Sequence, residues 1–259
     1  MLTVTKVKKL LSALKDYHKK YLSKKIKDLD ESGTRLMINT LLTDVLGFIP
    51  IEEVKTEYMI KGTYADYVIQ IKGVRHFLVE VKGFSLELSE KHLRQAVNYG
   101  ANEGIDWAAL TNGRQFELYR ILFNKPIEYK KVFTVDLSDK SKFKESAEFL
   151  QYLHKDSITK KGLETFWNKC VALDPLTVAK ILQDNTVILH VKKELKTKFK
   201  NKFSDDEVLS AINRVFLEAI DGDALKHSRV IKKTKKQQKK KIKPKLDPQN
   251  DNPIESVKS

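Results

Sequence analysis

The chain has 259 residues, 41% of them hydrophobic, and a formal net charge of +15 at pH 7. Its single cysteine, Cys170, excludes a disulfide framework and a zinc ribbon. No apolar stretch approaches the roughly 20 residues that span a bilayer, and the lysine-rich start lacks the apolar core of a secretion signal. We therefore expect a cytoplasmic protein without a membrane partner, built as one elaborated domain or two modest ones.

Hydrophobic periodicity predicts a mixed succession of helices and strands. A lysine-rich amphipathic helix comes first, and residues 31 to 121 then follow in the order helix, strand, strand, strand, helix, strand, strand. These elements cover residues 31–48, 54–60, 64–71, 76–83, 89–104, 105–111 and 114–121. Residues 138–225 are mostly helical in pattern, either as a small domain or as a cover that completes the core.

The second and third strands have a register that brings acids together. Asp66 lies on the polar side of one strand, and Glu80 and Lys82 lie on the polar side of the next. A three-residue turn at 72–74 keeps the apolar sides facing each other and sets Asp66 opposite Glu80. The same register pairs Tyr67 with Val79, Ile69 with Phe77 and Ile71 with Arg75.

Opposed carboxylates repel each other and weaken a sheet, so something must offset them. Lys82 offsets part of the repulsion, and a hard cation such as Mg²⁺, which favours one or two carboxylates, would offset more. The alternative is an ordinary solvated strand face that carries Asp66, Glu80 and Lys82 without further function.

The next elements carry more polar residues at helical and turn spacing. Ser89 is the expected N-cap of the second helix. Gln95 and Tyr99 are four residues apart and therefore lie on one face of that helix. Asn112-Gly113 predicts a type I′ hairpin turn between the last two strands.

In order and spacing, residues 25–125 resemble the PD-(D/E)XK nuclease superfamily, and within it the N-terminal nuclease domain of type I restriction endonuclease R subunits. Ala65 stands where that superfamily nominally has proline, which is not a ligand. The resemblance implies an α/β fold in which helices flank a mixed β-sheet, as in restriction endonucleases. The matching residues are Glu31, Thr34, Arg35, Glu57, Tyr64–Tyr67, Glu80–Lys82, Gln95, Tyr99 and Leu110–Gly113.

The resemblance also implies a metal-dependent hydrolytic site. Asp66 and Glu80 would bind Mg²⁺ or Mn²⁺, and the Val81 carbonyl would add a ligand. Lys82 would orient or help deprotonate the attacking water, and Gln95 would help to position Lys82 or that water.

Three further residues have less specific roles. Tyr99 would support the site or contact the nucleic-acid backbone. Glu31 is a candidate third acid, although an acid in a first helical turn also interacts favourably with the helix dipole. Glu57 is either part of the site or simply solvated.

The sequence predicts three regions: a nuclease domain with its N-terminal helix at 1–137, a helical region at 138–225, and a disordered Lys-rich tail at 226–259. The tail holds 12 Lys or Arg against 3 acids. Such an arm binds phosphates without reading sequence, although lysine runs also serve solubility. The tail residues expected to contact nucleic acid are Lys235, Lys236, Lys239, Lys240 and Lys241.

The predicted function is metal-dependent DNA endonuclease activity of restriction or defence type. The chain contains no G-x-x-x-x-G-K-[ST] loop, so we expect no ATP site and no motor. DNA is the expected partner, along with subunits of a restriction-modification system. The alternatives are a non-catalytic DNA-binding or adaptor protein that keeps the nuclease fold, and an RNA-processing nuclease.

Overall fold

A computed structural model describes residues 1–23, 29–60 and 63–215, without the side chains of Ile60 and Thr63. The chain divides into two compact units, Met1–Leu173 and Asp174–Ser259. The lysine-rich tail lies outside the described residues, so its disorder stays a prediction.

The described part of the first unit is organised around a mixed sheet whose six strands lie in chain order. Its strands are β1 (Val54–Ile60), β2 (Thr63–Ile71), β3 (Val74–Val81), β4 (Trp107–Thr111), β5 (Gln115–Leu122) and β6 (Glu128–Asp136). β3 and β4 are parallel, and the other neighbouring pairs are antiparallel. Parallel neighbours need a crossover, which the helix after β3 provides. The predicted α/β fold with a mixed sheet is confirmed.

Helices cover both faces of this sheet. They are α1 (Val4–Tyr17), α2 (Glu31–Thr40), α3 (Glu90–Glu103), α4 (Phe143–Leu150), α5 (Lys155–Ile158) and α6 (Gly162–Ala172), with π-helical turns at His18–Leu22 and Leu41–Val45. Apolar side chains of α1, α2, α4, α5 and α6 share one buried cluster with strand residues such as Tyr67 and Val79. α3 packs through Leu93 and Ala96 in a second cluster with Leu78.

Gly100 sets how closely α3 approaches the sheet. A Cβ at this position would lie 2.3 Å from Cδ1 of Ile121 and 2.8 Å from the carbonyl oxygen of Ile105. Only glycine fits without a shift of the helix, and this close packing fixes α3 beside β3.

The register of β2 and β3 agrees with the prediction in the middle and differs at the turn. Tyr67 pairs with Val79 and Ile69 pairs with Phe77, as predicted. The predicted pairing of Ile71 with Arg75 is wrong, because Ile71 pairs with Val74 across a two-residue turn. A bulge between Ile69 and Gln70 takes up the extra residue and keeps the apolar faces matched.

The type I′ geometry occurs at a different turn from the predicted one. Lys72 and Gly73 have φ of 50° and 81°, which is the left-handed pair that a type I′ turn requires. In the Asn112-Gly113 turn only the glycine has positive φ, 80°. The Asn112 side chain closes this turn instead, because its oxygen accepts a hydrogen bond from the Gln115 N–H at 2.8 Å.

The region after the predicted strands also differs in detail. β6 was not predicted from the sequence, although buried Phe133 and Val135 alternate with exposed Thr134 along it. The predicted helical character of the following segment is confirmed up to residue 215, and residues 216–225 lie outside the described ranges. Its part up to Leu173 acts as a cover that completes the core, since α4 to α6 belong to the first unit.

The second unit is helical as far as the structure describes it. It contains α7 (Pro175–Leu182), α8 (Asn185–Phe199) and a helix over residues 205–215. The Asp174 side chain accepts a hydrogen bond from the Leu176 N–H and caps α7, which has Pro175 at its first position. In the ranges that the structure covers, every helix is too short or too polar to cross a membrane.

Candidate active site

The acidic residues lie where β2 and β3 stop pairing. The ladder between these strands ends at Tyr67 and Val79, so the predicted direct pairing of Asp66 with Glu80 does not form. The Val81 N–H instead donates to Oδ2 of Asp66 at 2.7 Å. Asp66 and Glu80 are 5% and 1% exposed. The opening of the ladder thus lets a side chain, rather than a strand, approach the end of β3.

Lys82 follows Glu80 on the same side of β3 and binds it directly. The Lys82 Nζ lies 2.6 Å from Oε1 of Glu80 and 3.6 Å from Oε2 of Glu31. The other oxygen of Glu80, Oε2, is buried and has no hydrogen-bond partner among the described residues. A buried polar atom without a partner is costly, and such atoms often mark functional sites.

Burial and mutual repulsion shift the acids of this cluster. Burial raises the pKa of Glu80 to about 7, with Lys82 acting against the shift and the charge of Asp66 adding to it. Burial also raises the pKa of Asp66, although the Val81 N–H and the Arg35 guanidinium oppose this. Burial disfavours the Lys82 ammonium, but the hydrogen bond with Glu80 and the surrounding carboxylates outweigh it and raise the pKa of Lys82.

Arg35 of α2 is the second cation of the cluster. Its Nη2 forms an ion pair with Oδ1 of Asp66 and lies 3.5 Å from Oε1 of Glu31. Its Nη1 lies 3.2 Å from Oε1 of Glu57. The predicted acids Glu31 and Glu57 are therefore brought to the site through Arg35, and Glu31 also through Lys82.

Arg35 is one of the residues that match the nuclease family, but no role was predicted for it. Its contact with Glu31 had a signal, because the two residues are four apart on a helix. The contact with Asp66 had none, since it joins α2 to β2 through the tertiary fold.

Gln95 and Tyr99 form a pair on α3. The Gln95 Nε2 donates to the Tyr99 hydroxyl at 2.8 Å, and the Tyr99 side chain is buried. Gln95 is therefore linked to Tyr99 rather than to Lys82. At the start of α3, burial and then the charge of Lys82 lower the pKa of His92.

The donor set suits a hard divalent cation. Mg²⁺ in proteins commonly takes one or two carboxylates and fills its other positions with water or phosphate oxygens. Glu80 fits that pattern, since its Oε2 has no hydrogen-bond partner within the described ranges. In the part of the chain that the structure describes, no three His, Cys, Asp or Glu side chains form a metal-holding group. Asp66 and Glu80 are two side chains, and they would leave the other coordination positions of the cation to water or phosphate oxygens.

The predicted nucleic-acid contacts of the tail are not tested by this geometry. Lys235, Lys236, Lys239, Lys240 and Lys241 all lie outside the described residues.

The mixed sheet flanked by helices is consistent with a restriction-endonuclease-like fold. Residues 30–133 match the family model of the type I restriction enzyme R protein N terminus. The resemblance inferred from the sequence motifs is thereby confirmed.

Comparison with solved structures gives a weak similarity. The type IIG restriction endonuclease BpuSI is 20% identical, over 69% of this chain and 19% of that chain, with a TM-score of 0.29. A similarity at this level supports no argument about this chain. Comparison with curated proteins gave no match.

Proposed function

We propose that the chain is a metal-dependent DNA endonuclease of restriction or defence type. The observation that carries the proposal is the pair of buried acids Asp66 and Glu80 beside Lys82, in which one Glu80 oxygen has no hydrogen-bond partner among the described residues. The match of residues 30–133 to the R protein N terminus supports a restriction-type substrate, which is DNA.

Asp66 and Glu80 would hold Mg²⁺ or Mn²⁺, with the Val81 carbonyl as a further ligand. When bound, such a cation lowers the pKa of a coordinated water and neutralises phosphate charge in the transition state. Glu80 must lose its proton to serve as a ligand, and its pKa of about 7 makes this step sensitive to pH near neutrality.

Lys82 acts as a hydrogen-bond donor and positive charge rather than as a base. Its pKa is raised by the surrounding acids, so the amine stays protonated at neutral pH. A protonated amine held 2.6 Å from Glu80 orients the attacking water and stabilises the charge that develops on the phosphate.

The remaining predicted residues support this centre. Glu31 restrains the Lys82 amine, because Oε2 of Glu31 lies 3.6 Å from Nζ of Lys82. Glu57 acts on the site through Arg35. Gln95 and Tyr99 form a hydrogen-bonded pair on the helix beside β3, where Gln95 is exposed and available to substrate.

The test is cleavage of a supercoiled plasmid by the purified chain with Mg²⁺ or Mn²⁺. The wild-type protein should nick or cut the plasmid, and Asp66→Asn should abolish this activity. Parallel assays on duplex DNA, single-stranded DNA and RNA would identify the substrate class. Cleavage that survives in Asp66→Asn would contradict the proposed site.

The tail lysines are proposed to contact phosphates without reading sequence. Deletion of residues 226–259 should lower the salt dependence of DNA binding, because each phosphate contact contributes a slope of about −0.9 in log K against log salt. An unchanged slope would dismiss this role. Subunits of a restriction-modification system are further proposed partners.

A further inference from the structure

Arg35 contacts the carboxylate that the proposed cation needs. Its guanidinium pairs with Oδ1 of Asp66, while Oδ2 of Asp66 accepts from the Val81 N–H. Both oxygens of Asp66 are therefore engaged within the protein. A divalent cation shared by Asp66 and Glu80 would have to compete with the positive charge of Arg35 at this carboxylate.

The Arg35 guanidinium can also be bound by carboxylates other than that of Asp66. Besides the buried Asp66, it contacts the side chains of Glu31 and Glu57, which are 41% and 71% exposed. Moving outward to those two acids would keep two ion pairs and release Asp66. Moving inward would bring it closer to Lys82, which like charge disfavours.

Only the end of the arginine side chain is free to make this change. The Tyr67 hydroxyl donates to the Arg35 carbonyl at 2.9 Å and fixes the backbone. The Arg35 Nε is buried without a hydrogen-bond partner among the described residues. The carboxylates that surround the guanidinium are therefore what hold its position.

The backbone conformation of Glu57 also indicates that its contact with Arg35 has a function. Glu57 lies within β1 but has φ of 46°, and the pairing of β1 with β2 skips Glu57 and Asp66. A left-handed non-glycine residue inside a strand is strained, and such strain clusters at functional sites. Here it accompanies the contact between Glu57 and Arg35.

We infer that Arg35 is a positioning residue that neutralises Asp66 in the metal-free protein and transfers to Glu31 and Glu57 when a divalent cation binds. This inference rests on the proposed metal-dependent function. It makes Arg35 a competitor of the cation, so that its removal strengthens metal binding.

The test is Mn²⁺ binding to the full chain, followed by electron paramagnetic resonance of the free ion. Arg35→Gln should bind Mn²⁺ about tenfold more tightly than wild type, which corresponds to 1.4 kcal/mol. Lys91→Gln is the matched control for loss of a nearby charge, since Lys91 acts electrostatically on the neighbouring His92. It should leave Mn²⁺ affinity almost unchanged.

The outcomes separate this inference from the proposed function. Equal or weaker binding by Arg35→Gln, with normal binding by wild type, would overturn the role of Arg35 alone. Absence of Mn²⁺ binding in both proteins would overturn the metal-dependent function as well. An equal gain in Lys91→Gln would show a general charge effect and would also overturn the specific role.

A second measurement uses only the wild-type protein, so it does not depend on whether a variant folds. In wild-type protein labelled with ¹⁵N-arginine, addition of Mg²⁺ should shift one buried Nε–H signal, that of Arg35. Mg²⁺ binding that leaves every arginine Nε–H signal in place would contradict the transfer.

Discussion

Two buried glutamates with lysine partners lie in the same sheet. Glu80 of β3 lies 2.6 Å from the amine of Lys82, and Glu117 of β5 lies 2.7 Å from that of Lys131. Leu110 of β4 pairs with both glutamates, so they belong to one cross-strand row. The chemical types and distances are nearly the same in the two places.

The two pairs differ in the hydrogen-bond partner of the second carboxylate oxygen, Oε2. Oε2 of Glu117 accepts from the Tyr119 hydroxyl, so both oxygens of this residue are satisfied. Oε2 of Glu80 is buried and has no partner in the described part of the chain. A satisfied buried carboxylate contributes to the fold, whereas an unsatisfied one is retained at a cost in stability and therefore indicates function.

The largest expected difference between the two pairs is in catalysis. Lys82→Met should lower the rate of plasmid cleavage about 1,000-fold, as expected when a positive charge aimed at the transition state is lost. Glu117→Gln is the matched control and should cleave at nearly the wild-type rate. Loss of activity in both variants would show that the comparison does not separate site from scaffold.

The second difference is in the pH dependence of stability without metal. The pKa of Glu80 rises from 4.5 to about 7 on folding, so between these values the folded protein binds more protons than the unfolded chain. The free energy of unfolding of wild type should therefore fall, relative to Glu80→Gln, by about 3 kcal/mol as the pH rises through this window. Urea unfolding at pH 4.5 to 8 measures this difference. A flat or rising difference would contradict the assignment.

The third difference is in stabilisation by metal. Mg²⁺ at 100 times its dissociation constant should raise the free energy of unfolding by about 2.7 kcal/mol. Glu117→Gln should keep this gain, and Asp66→Asn should lose it. Thermal unfolding with and without Mg²⁺ gives the comparison, and a full gain in Asp66→Asn would place the cation elsewhere.

The smallest effect concerns the scaffold pair. Glu117→Gln should destabilise the first unit by about 1–2 kcal/mol, because it weakens charge-assisted hydrogen bonds from Lys131 and Tyr119. Denaturant unfolding of the variant measures this loss. No loss of stability would mean that the Glu117 cluster contributes nothing to the fold.

Local patterns predicted the order of helices and strands and the closeness of Asp66 to Glu80, whereas the fold class came from the family resemblance. Alternation along β2 and β3 predicted the pairing of Tyr67 with Val79, and that pairing set Asp66 near Glu80. The turn was harder to predict, because a bulge at Ile69 and Gln70 changes the register by one residue without changing the apolar face.

The parts that the sequence did not predict depend on long-range contacts. Arg35 reaches Asp66 only after α2 packs beside β2, and helical spacing indicates its contact with Glu31 alone. The sequence also could not predict which residue the Gln95 side chain would hydrogen-bond. Its spacing from Tyr99 predicted a shared face, but whether the amide would bond Tyr99 or Lys82 depends on the placement of α3.

The most direct test of the central claim is anomalous diffraction from crystals of the full chain soaked in Mn²⁺. A peak within coordination distance of both the Asp66 carboxylate and Oε2 of Glu80 is the predicted result. Strong Mn²⁺ density elsewhere, with the two carboxylates free of it, would contradict the hydrolytic site.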